Sequence, residues 1–244
     1  MKVKGLIVSL AAMLPALALA APAADKTPAF TPEEYAARIA SMPEPSKMGG
    51  FAVHSKQFCA SCHGQKGISM TERWPHVAGQ PFDVTVKSLL DYRDGRRTDG
   101  AQARLMTSVA KRMSDQDIVD VAHLYEMLPG PDGTALKVEA TTVEGTPANI
   151  MTLVTKGDPV RAITPCAACH GASGNGRETG QVPVLHGQNP TYLAGQLKDY
   201  RSGKRSADML KEMRFFAQQL NDEEIAGLAA YYAGLPGWPG TMKK

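Results

Sequence analysis

The sequence spells Cys-x-x-Cys-His twice, as Cys59-Ala-Ser-Cys62-His63 and as Cys166-Ala-Ala-Cys169-His170, with the motifs 107 residues apart. These pairs use all 4 cysteines of the chain. The offset extends well beyond them, which marks an internal repeat. Pro75-His76-Val77-Ala78-Gly79-Gln80 answers Pro183-Val184-Leu185-His186-Gly187-Gln188 at an offset of 108, and Leu90 to Arg97 answers Lys198 to Arg205 in the same register. After one deletion the offset returns to 107, so that Met106 answers Met213 and Met113 answers Leu220. Asp115, Ile118 and Tyr125 likewise answer Asp222, Ile225 and Tyr232. The chain is two copies of one unit, and a fold that suits one half must suit the other.

Two thiols three residues apart share one helical face, where they can add to the two vinyl groups of a single haem, with the next histidine beneath the iron. The rival readings ask for other things. Zinc would need thiols or histidines from both motifs to converge on one ion, and a redox dithiol would want a β-α-β setting. Disulfides are the ordinary fate of cysteines in exported chains. Duplication with no cysteine left over favours covalent haem. The sixth ligand then decides between an open and a closed iron. Met106 lies 43 residues after His63 and Met213 lies 43 residues after His170. Against this, methionine is a flexible core filler, and the chain has 12. Met113 is matched by Leu220 and Met209 by Gln102, while Met70 and Met127 have no counterpart. His54, His76, His123 and His186 lack partners in register and read as exposed or hydrogen-bonded structural residues. Pro75 and Pro183 follow the motif histidines by 12 and 13 residues. A carbonyl there suits a ring N–H, although a turn proline is the plainer reading. Arg93-Asp94-Gly95-Arg96-Arg97 and Arg201-Ser202-Gly203-Lys204-Arg205 offer donors to haem propionates, or form solvated turns.

Lys2 and Lys4, the apolar run Gly5 to Leu17 and the small residues Ala18-Leu19-Ala20 read as an export signal cleaved after Ala20. Without Lys2 and Lys4 the formal charge falls from +3 to +1, and no basic block suggests nucleic acid. No later stretch is long and apolar enough to span a bilayer. Aromatics are only 6% of the chain, so two small domains would have thin cores unless a cofactor helps to fill them. Ile118, Val121, Ala122 and Tyr125 repeat at helical spacing, as do Ile225, Leu228, Ala229 and Tyr232. Ser114 with Asp117 and Asn221 with Glu224 predict N-caps, and Leu128-Pro129-Gly130 and Leu235-Pro236-Gly237 predict stops. Val84 to Arg93, Tyr192 to Arg201 and Pro32 to Ala40 also read as helices, the last opened by its proline. Residues 21–32 are expected to be mobile.

With these residues in hand, the chain resembles the dihaem cytochrome c4 family over roughly residues 46–237. The resemblance rests on the two Cys-x-x-Cys-His-Gly motifs, the Pro-x-x-x-Gly-Gln and Tyr-Arg-x-Gly-x-Arg segments, and the methionines. It implies an all-α fold of two tandem class I cytochrome c domains, each wrapped around a covalently attached haem and facing the other across a pseudo-twofold interface. The expected division is 1–20 signal peptide, 21–45 N-terminal extension, 46–130 first domain, 131–149 linker and 150–240 second domain. Two haem c groups would be carried by Cys59 and Cys62, and by Cys166 and Cys169. His63 with Met106, and His170 with Met213, would ligate the irons. Gly171 to Gly176 matches the family's glycine-rich stretch, from which Gly64 to Ser69 departs, so the first haem edge is expected to be differently exposed. The extension before Lys47 is longer than usual and leaves room for a special partner. The resemblance implies a periplasmic electron carrier rather than an enzyme. It would have redox-protein partners, a quinol-oxidising complex or dehydrogenase as donor and a terminal oxidase or reductase as acceptor, with no nucleic acid or small-molecule substrate. The alternatives are a thiosulfate-oxidising or peroxidase-like dihaem oxidoreductase, and the cytochrome subunit of a larger dehydrogenase.

Overall fold

Capping and periodicity set the helices of the first half. In the computed structural model, which describes residues 27–131, 147–176 and 181–234, Thr31 and Glu34 form a reciprocal capping box that opens α1 (Pro32–Ala40). Then come α2 (Gly49–Lys56), the single turn α3 (Ala60–His63), α4 (Phe82–Arg93), α5 (Ala101–Ala110) and α6 (Asp115–Met127). Ser114 and Asp117 cap α6 as their spacing predicts. The second half repeats the plan with α7 (Ala148–Thr155), α8 (Cys166–His170), α9 (Pro190–Arg201), α10 (Glu212–Gln218) and α11 (Asp222–Gly234). Asn221 and Glu224 exchange the same pair of bonds ahead of α11, at 2.8 and 3.0 Å. Among the described residues there is no strand, only an isolated bridge between Asp158 and Ile163. The expected signal peptide, most of the linker and the stop at Leu235 lie outside the described residues.

Each half has its own core. Ile118, Val121, Ala122 and Tyr125 bury one face of α6 against Val53, Val86, Leu89 and Leu90. Ile225, Leu228, Ala229 and Tyr232 do the same for α11 against Ile150, Leu153, Val154 and Leu193. The first half carries an addition. Residues 27–31, within the stretch expected to be mobile, are anchored instead: Phe30 is buried beside Tyr35, and the Arg96 guanidinium lies 3.7 Å from its ring and donates to the Pro28 carbonyl. Tyr35 is buried too and donates to the Asp83 carbonyl at 2.9 Å. Arg38 reaches Asp115 at 2.5 Å, and the Ser46 backbone and hydroxyl both donate to Asp120. The extension is therefore a strap spent on its own domain. Its apolar side chains face that core and not an open docking face.

The halves meet through reciprocal contacts, as expected of a pseudo-twofold interface. Gln80 donates to the Val184 carbonyl at 2.9 Å and accepts from the Val184 N–H at 3.2 Å. Its repeat partner Gln188 donates to the His76 carbonyl and accepts from the His76 N–H, both at 2.9 Å. Asn189 donates to the Thr71 carbonyl, Lys87 donates to the Ala207 carbonyl, and Met209 packs against the core of the first half.

Candidate functional site

The two motifs fold as one-turn helices with both thiols unpaired. In the first, the His63 N–H closes the turn on the Cys59 carbonyl at 2.9 Å. Gly64 follows at φ 74°, where a Cβ would stand 2.0 Å from the Ile68 carbonyl oxygen, so the motif must end in glycine. Cys59, Cys62 and Cys166 are partly buried and Cys169 is exposed. Burial pushes the Cys166 thiol up to about 11.

Behind each motif, a second segment orients the histidine. His63 Nδ1 donates to the Pro75 carbonyl at 2.8 Å, and His170 Nδ1 donates to the Pro183 carbonyl at 3.2 Å. Carbonyls can only accept, so each Nδ1 carries the proton and each Nε2 keeps its lone pair for a metal. Burial lowers both imidazoles below the ordinary histidine range and keeps them neutral. The loop between motif and proline shares one pair of bonds in the halves, although the Gly176 N–H donates to the His170 carbonyl while its counterpart Ser69 donates to His76 Nδ1. The Gly67 carbonyl accepts from Val77 and Ala78, and the Gly174 carbonyl accepts from Leu185 and His186. The departure of Gly64 to Ser69 from the glycine-rich pattern leaves this pair of bonds intact. Gly79 and Gly187, both at positive φ, donate their N–H groups to the Tyr125 and Tyr232 carbonyls at 2.8 and 2.9 Å, which ties each loop to the last helix of its half.

Met106 is half-buried on α5 beside Tyr92, Ala103 and Ala110, and Met213 is half-buried in the first turn of α10. Met113 and its counterpart Leu220 are both buried core residues, as their apolar pairing suggests. Met70 and Met127 are exposed. The unmatched histidines have structural bonds. His54 Nδ1 pairs with the Tyr125 hydroxyl at 2.9 Å, His76 Nδ1 accepts from the Ser69 N–H at 3.0 Å, and His186 Nδ1 meets the Ser173 carbonyl at 2.8 Å. Burial, with His63 nearby, pulls His76 down to about 4. His123 is half-buried on α6.

The repeated arginines do not form solvated turns. Arg93 and Arg201 brace Asp115 and Asp222 at the start of the last helices. Arg97 is buried over the Tyr92 ring against Asp99, and Arg205 stacks on Tyr200. Both guanidiniums converge on the single neutral oxygen Gln196 Oε1, at 2.5 Å each. Burial would raise the Tyr192 phenol, but Arg97 and Arg205 outweigh it and hold the phenol below its ordinary value. Arg205 Nε and Thr107 Oγ1 are buried without partners. Asp91, Asp99 and Asp199 already face both guanidiniums, so the feature that suits a further carboxylate is the buried Arg205 Nε, which lacks an acceptor. The residues present thus fit haem: paired thiols, a neutral oriented imidazole and unsatisfied donors suited to propionates. Among the described residues, no group of three His, Cys, Asp or Glu side chains could hold a bare metal ion. Sequence reasoning overlooked Gln80, Gln188 and Gln196 as contact residues. The signal for the first two was present, since glutamine ends the Pro-x-x-x-Gly-Gln segment in both copies.

Known proteins are similar to this chain in sequence and in fold. The cytochrome c family model matches residues 49–124 and 155–235. The cytochrome c4 of Thiocapsa roseopersicina is 33% identical over 178 residues, covering 72% of this chain and 86% of that protein. A thiosulfate dehydrogenase electron acceptor of Stutzerimonas stutzeri is 33% identical over 187 residues, covering 76% of this chain and 82% of its own. The crystal structure of reduced recombinant cytochrome c4 from Pseudomonas stutzeri superposes with a TM-score of 0.67 at 27% identity, covering 78% of this chain and 99% of that one. No described helix is long and apolar enough to cross a membrane. Duplicated motifs, a mirrored interface and similarity over 72–78% of the chain lead to one conclusion: the chain belongs to the cytochrome c4 family of electron-transfer proteins, with haem c held covalently in each half.

Proposed function

We propose that the protein is a periplasmic two-electron shuttle, exported by residues 1–20 and cleaved after Ala20. Its domains are residues 46–130 and 150–240, joined by the linker 131–149 and preceded by the extension 21–45. Cys59 and Cys62 form the thioethers of the first domain, and Cys166 and Cys169 those of the second. His63 and His170 present Nε2 to the irons while their Nδ1–H groups stay fixed on Pro75 and Pro183. Met106 and Met213 would be the second protein ligands of the two irons and would leave no place for water or exogenous ligands. Haem c supplies a one-electron ferric/ferrous couple whose potential the axial ligands and burial set. Arg97 and Arg205 neutralise propionates at the interface.

The observation that carries this reading is the pair of ring-to-carbonyl bonds, at 2.8 and 3.2 Å, which leaves one nitrogen of each motif histidine available in both halves. The test is optical. The oxidised protein should show the weak methionine-to-iron charge-transfer band in the far red, and the reduced protein should not bind carbon monoxide. Carbon monoxide binding to either haem would reject a closed site in that half. Electrons would enter from a quinol-oxidising complex or a dehydrogenase and leave to a terminal oxidase or reductase. The similarity to a thiosulfate dehydrogenase electron acceptor favours such a dehydrogenase as donor. Rapid-mixing reduction by a purified thiosulfate dehydrogenase, compared with a quinol-oxidising complex, distinguishes the two donors.

A further inference from the structure

Each motif histidine stands one peptide bond from the opposite half. The Pro75 carbonyl that accepts from His63 Nδ1 at 2.8 Å shares its planar peptide unit with the His76 N–H, which donates to Gln188 Oε1 at 2.9 Å. In the second half, the Pro183 carbonyl accepts from His170 Nδ1 and the Val184 N–H donates to Gln80 Oε1, both at 3.2 Å. Each glutamine also donates back, to the His76 or Val184 carbonyl, at 2.9 Å. Gln188 is buried, and its Oε1 also accepts from the Asn189 N–H. Two unbroken chains therefore cross the interface in opposite senses, from histidine ring through peptide to the other half's glutamine.

We infer that Gln188 and Gln80 are positioning residues that tune the electron-donating strength of the opposite half's histidine, so that each redox potential depends on a residue of the other half. The inference rests on His63 and His170 being the iron ligands. Hydrogen bonds in series polarise one another. A peptide whose N–H is engaged has a more negative carbonyl oxygen, and that oxygen draws harder on the ring proton. The ring becomes more imidazolate-like and stabilises ferric over ferrous iron. Coupling free energies are reciprocal: oxidation of one iron makes its ring N–H a stronger donor and tightens the bond to the other half. The chain through Gln188 is the shorter, so the haem of the first half feels it more.

The test uses the full-length holoprotein with both haems present. Gln188→Met and Gln80→Met keep side-chain length and remove the hydrogen bonds. Gln188→Met is expected to raise the potential of the His63 haem and leave the His170 haem in place. A single electron would then shift toward the first haem by about threefold, or roughly 30 mV for a one-electron couple. Gln80→Met should raise only the His170 haem, by less. In the reduced, diamagnetic protein the His63 ring N–H resonance should move upfield in Gln188→Met alone. A shift confined to the mutated half, an equal shift of both haems or no shift overturns the inference, since a merely looser interface would produce one of these. If the methionine variants do not fold, Gln188→Glu keeps an acceptor for the His76 N–H and should lower the first potential; a rise or no change also overturns the inference. A wild-type protein whose ring N–H resonances or ligand spectra exclude His63 and His170 from the irons overturns the ligand assignment itself, a separate result.

Discussion

The two halves share the ring-to-carbonyl bond that orients the motif histidine, yet they bring the helix before the motif and the last helix together from opposite sides. In the first half the close approach is made by α2: a Cβ on Gly50 would stand 2.4 Å from the Asp120 carbonyl oxygen and 2.5 Å from Leu124 Cβ on α6. In the second half the glycine is on α11, where a Cβ on Gly227 would meet Ile150 Cδ1 of α7 at 2.6 Å. The halves also differ in what braces that crossing. The first has the strap with Phe30 and Tyr35. The second has Arg161, in the longer connection between α7 and α8, bound to both oxygens of Glu224 at 2.8 and 3.0 Å. The chemistry at the histidine constrains its local frame tightly, whereas the scaffold behind it tolerates any packing that holds two helices at the required distance.

Breaking the symmetry at the distal position should have the largest effect. Met213→Ala should leave both haems covalently attached and open only the second to cyanide or carbon monoxide, and Met106→Ala should do the same to the first. Ligand titration of the two variants, read by visible spectra, checks this. An unchanged spectrum in Met213→Ala would exclude that residue as ligand. The strap comes next. Phe30→Ala combined with Tyr35→Ala removes two buried rings from the first core, each worth about 3–5 kcal/mol. The first half should unfold at lower denaturant while the second keeps its midpoint, measured by the loss of methionine ligation in each half. Simultaneous unfolding of the halves would mean that the interface, and not the strap, holds the first domain.

The inverted crossing gives a sharper test. Gly50→Ala drives a methyl into backbone and a Cβ, neither of which can rotate away, and overpacking of that kind costs about 1–3 kcal/mol. Gly227→Ala meets only the end of a flexible isoleucine and should cost less than half as much. Paired thermal melts of the two variants rank them; equal costs would show that the two crossings are equivalent after all.

Helices and motif chemistry were legible from sequence because they depend on neighbours within a few residues. The Thr31–Glu34 and Ser114–Asp117 boxes, the Cys-x-x-Cys-His turns and the apolar stripe of α6 are all local. The strap's helix, Pro32 to Ala40, was legible from its opening proline, but its docking was not: Phe30 and Tyr35 stand among prolines and alanines without a period that would announce burial. The roles of Gln80 and Gln188 were hidden for another reason. Their partners are backbone atoms 104 and 112 residues away, and no side-chain pattern records a bond to a peptide. Arg97 and Arg205 remained ambiguous between propionate donors and solvent because only the interface removes their water.

The smallest expected effect concerns acid. Arg161 lies in the connection between α7 and α8, and the bond it donates holds the Glu224 carboxyl below its ordinary value of 4.5. A carboxyl lowered in the folded state stabilises the protein above its unfolded value, and the contribution is lost as pH falls through the folded value. Arg161→Gln removes that protection, so the second half should lose about 1 kcal/mol at neutral pH, in line with a partly exposed pair. The difference from wild type should shrink as pH falls below 4.5, where the unfolded chain takes up the proton first and the folded carboxyl follows at its lower value. The first half, which shares none of the Arg161 hydrogen bonds to Asp158, Gln219 and Glu224, should not respond. Denaturant midpoints for each half, followed from pH 7 to pH 3 or so, decide it: a difference that persists undiminished in acid would mean that Arg161 acts through its bond to the Gln219 carbonyl and not through Glu224.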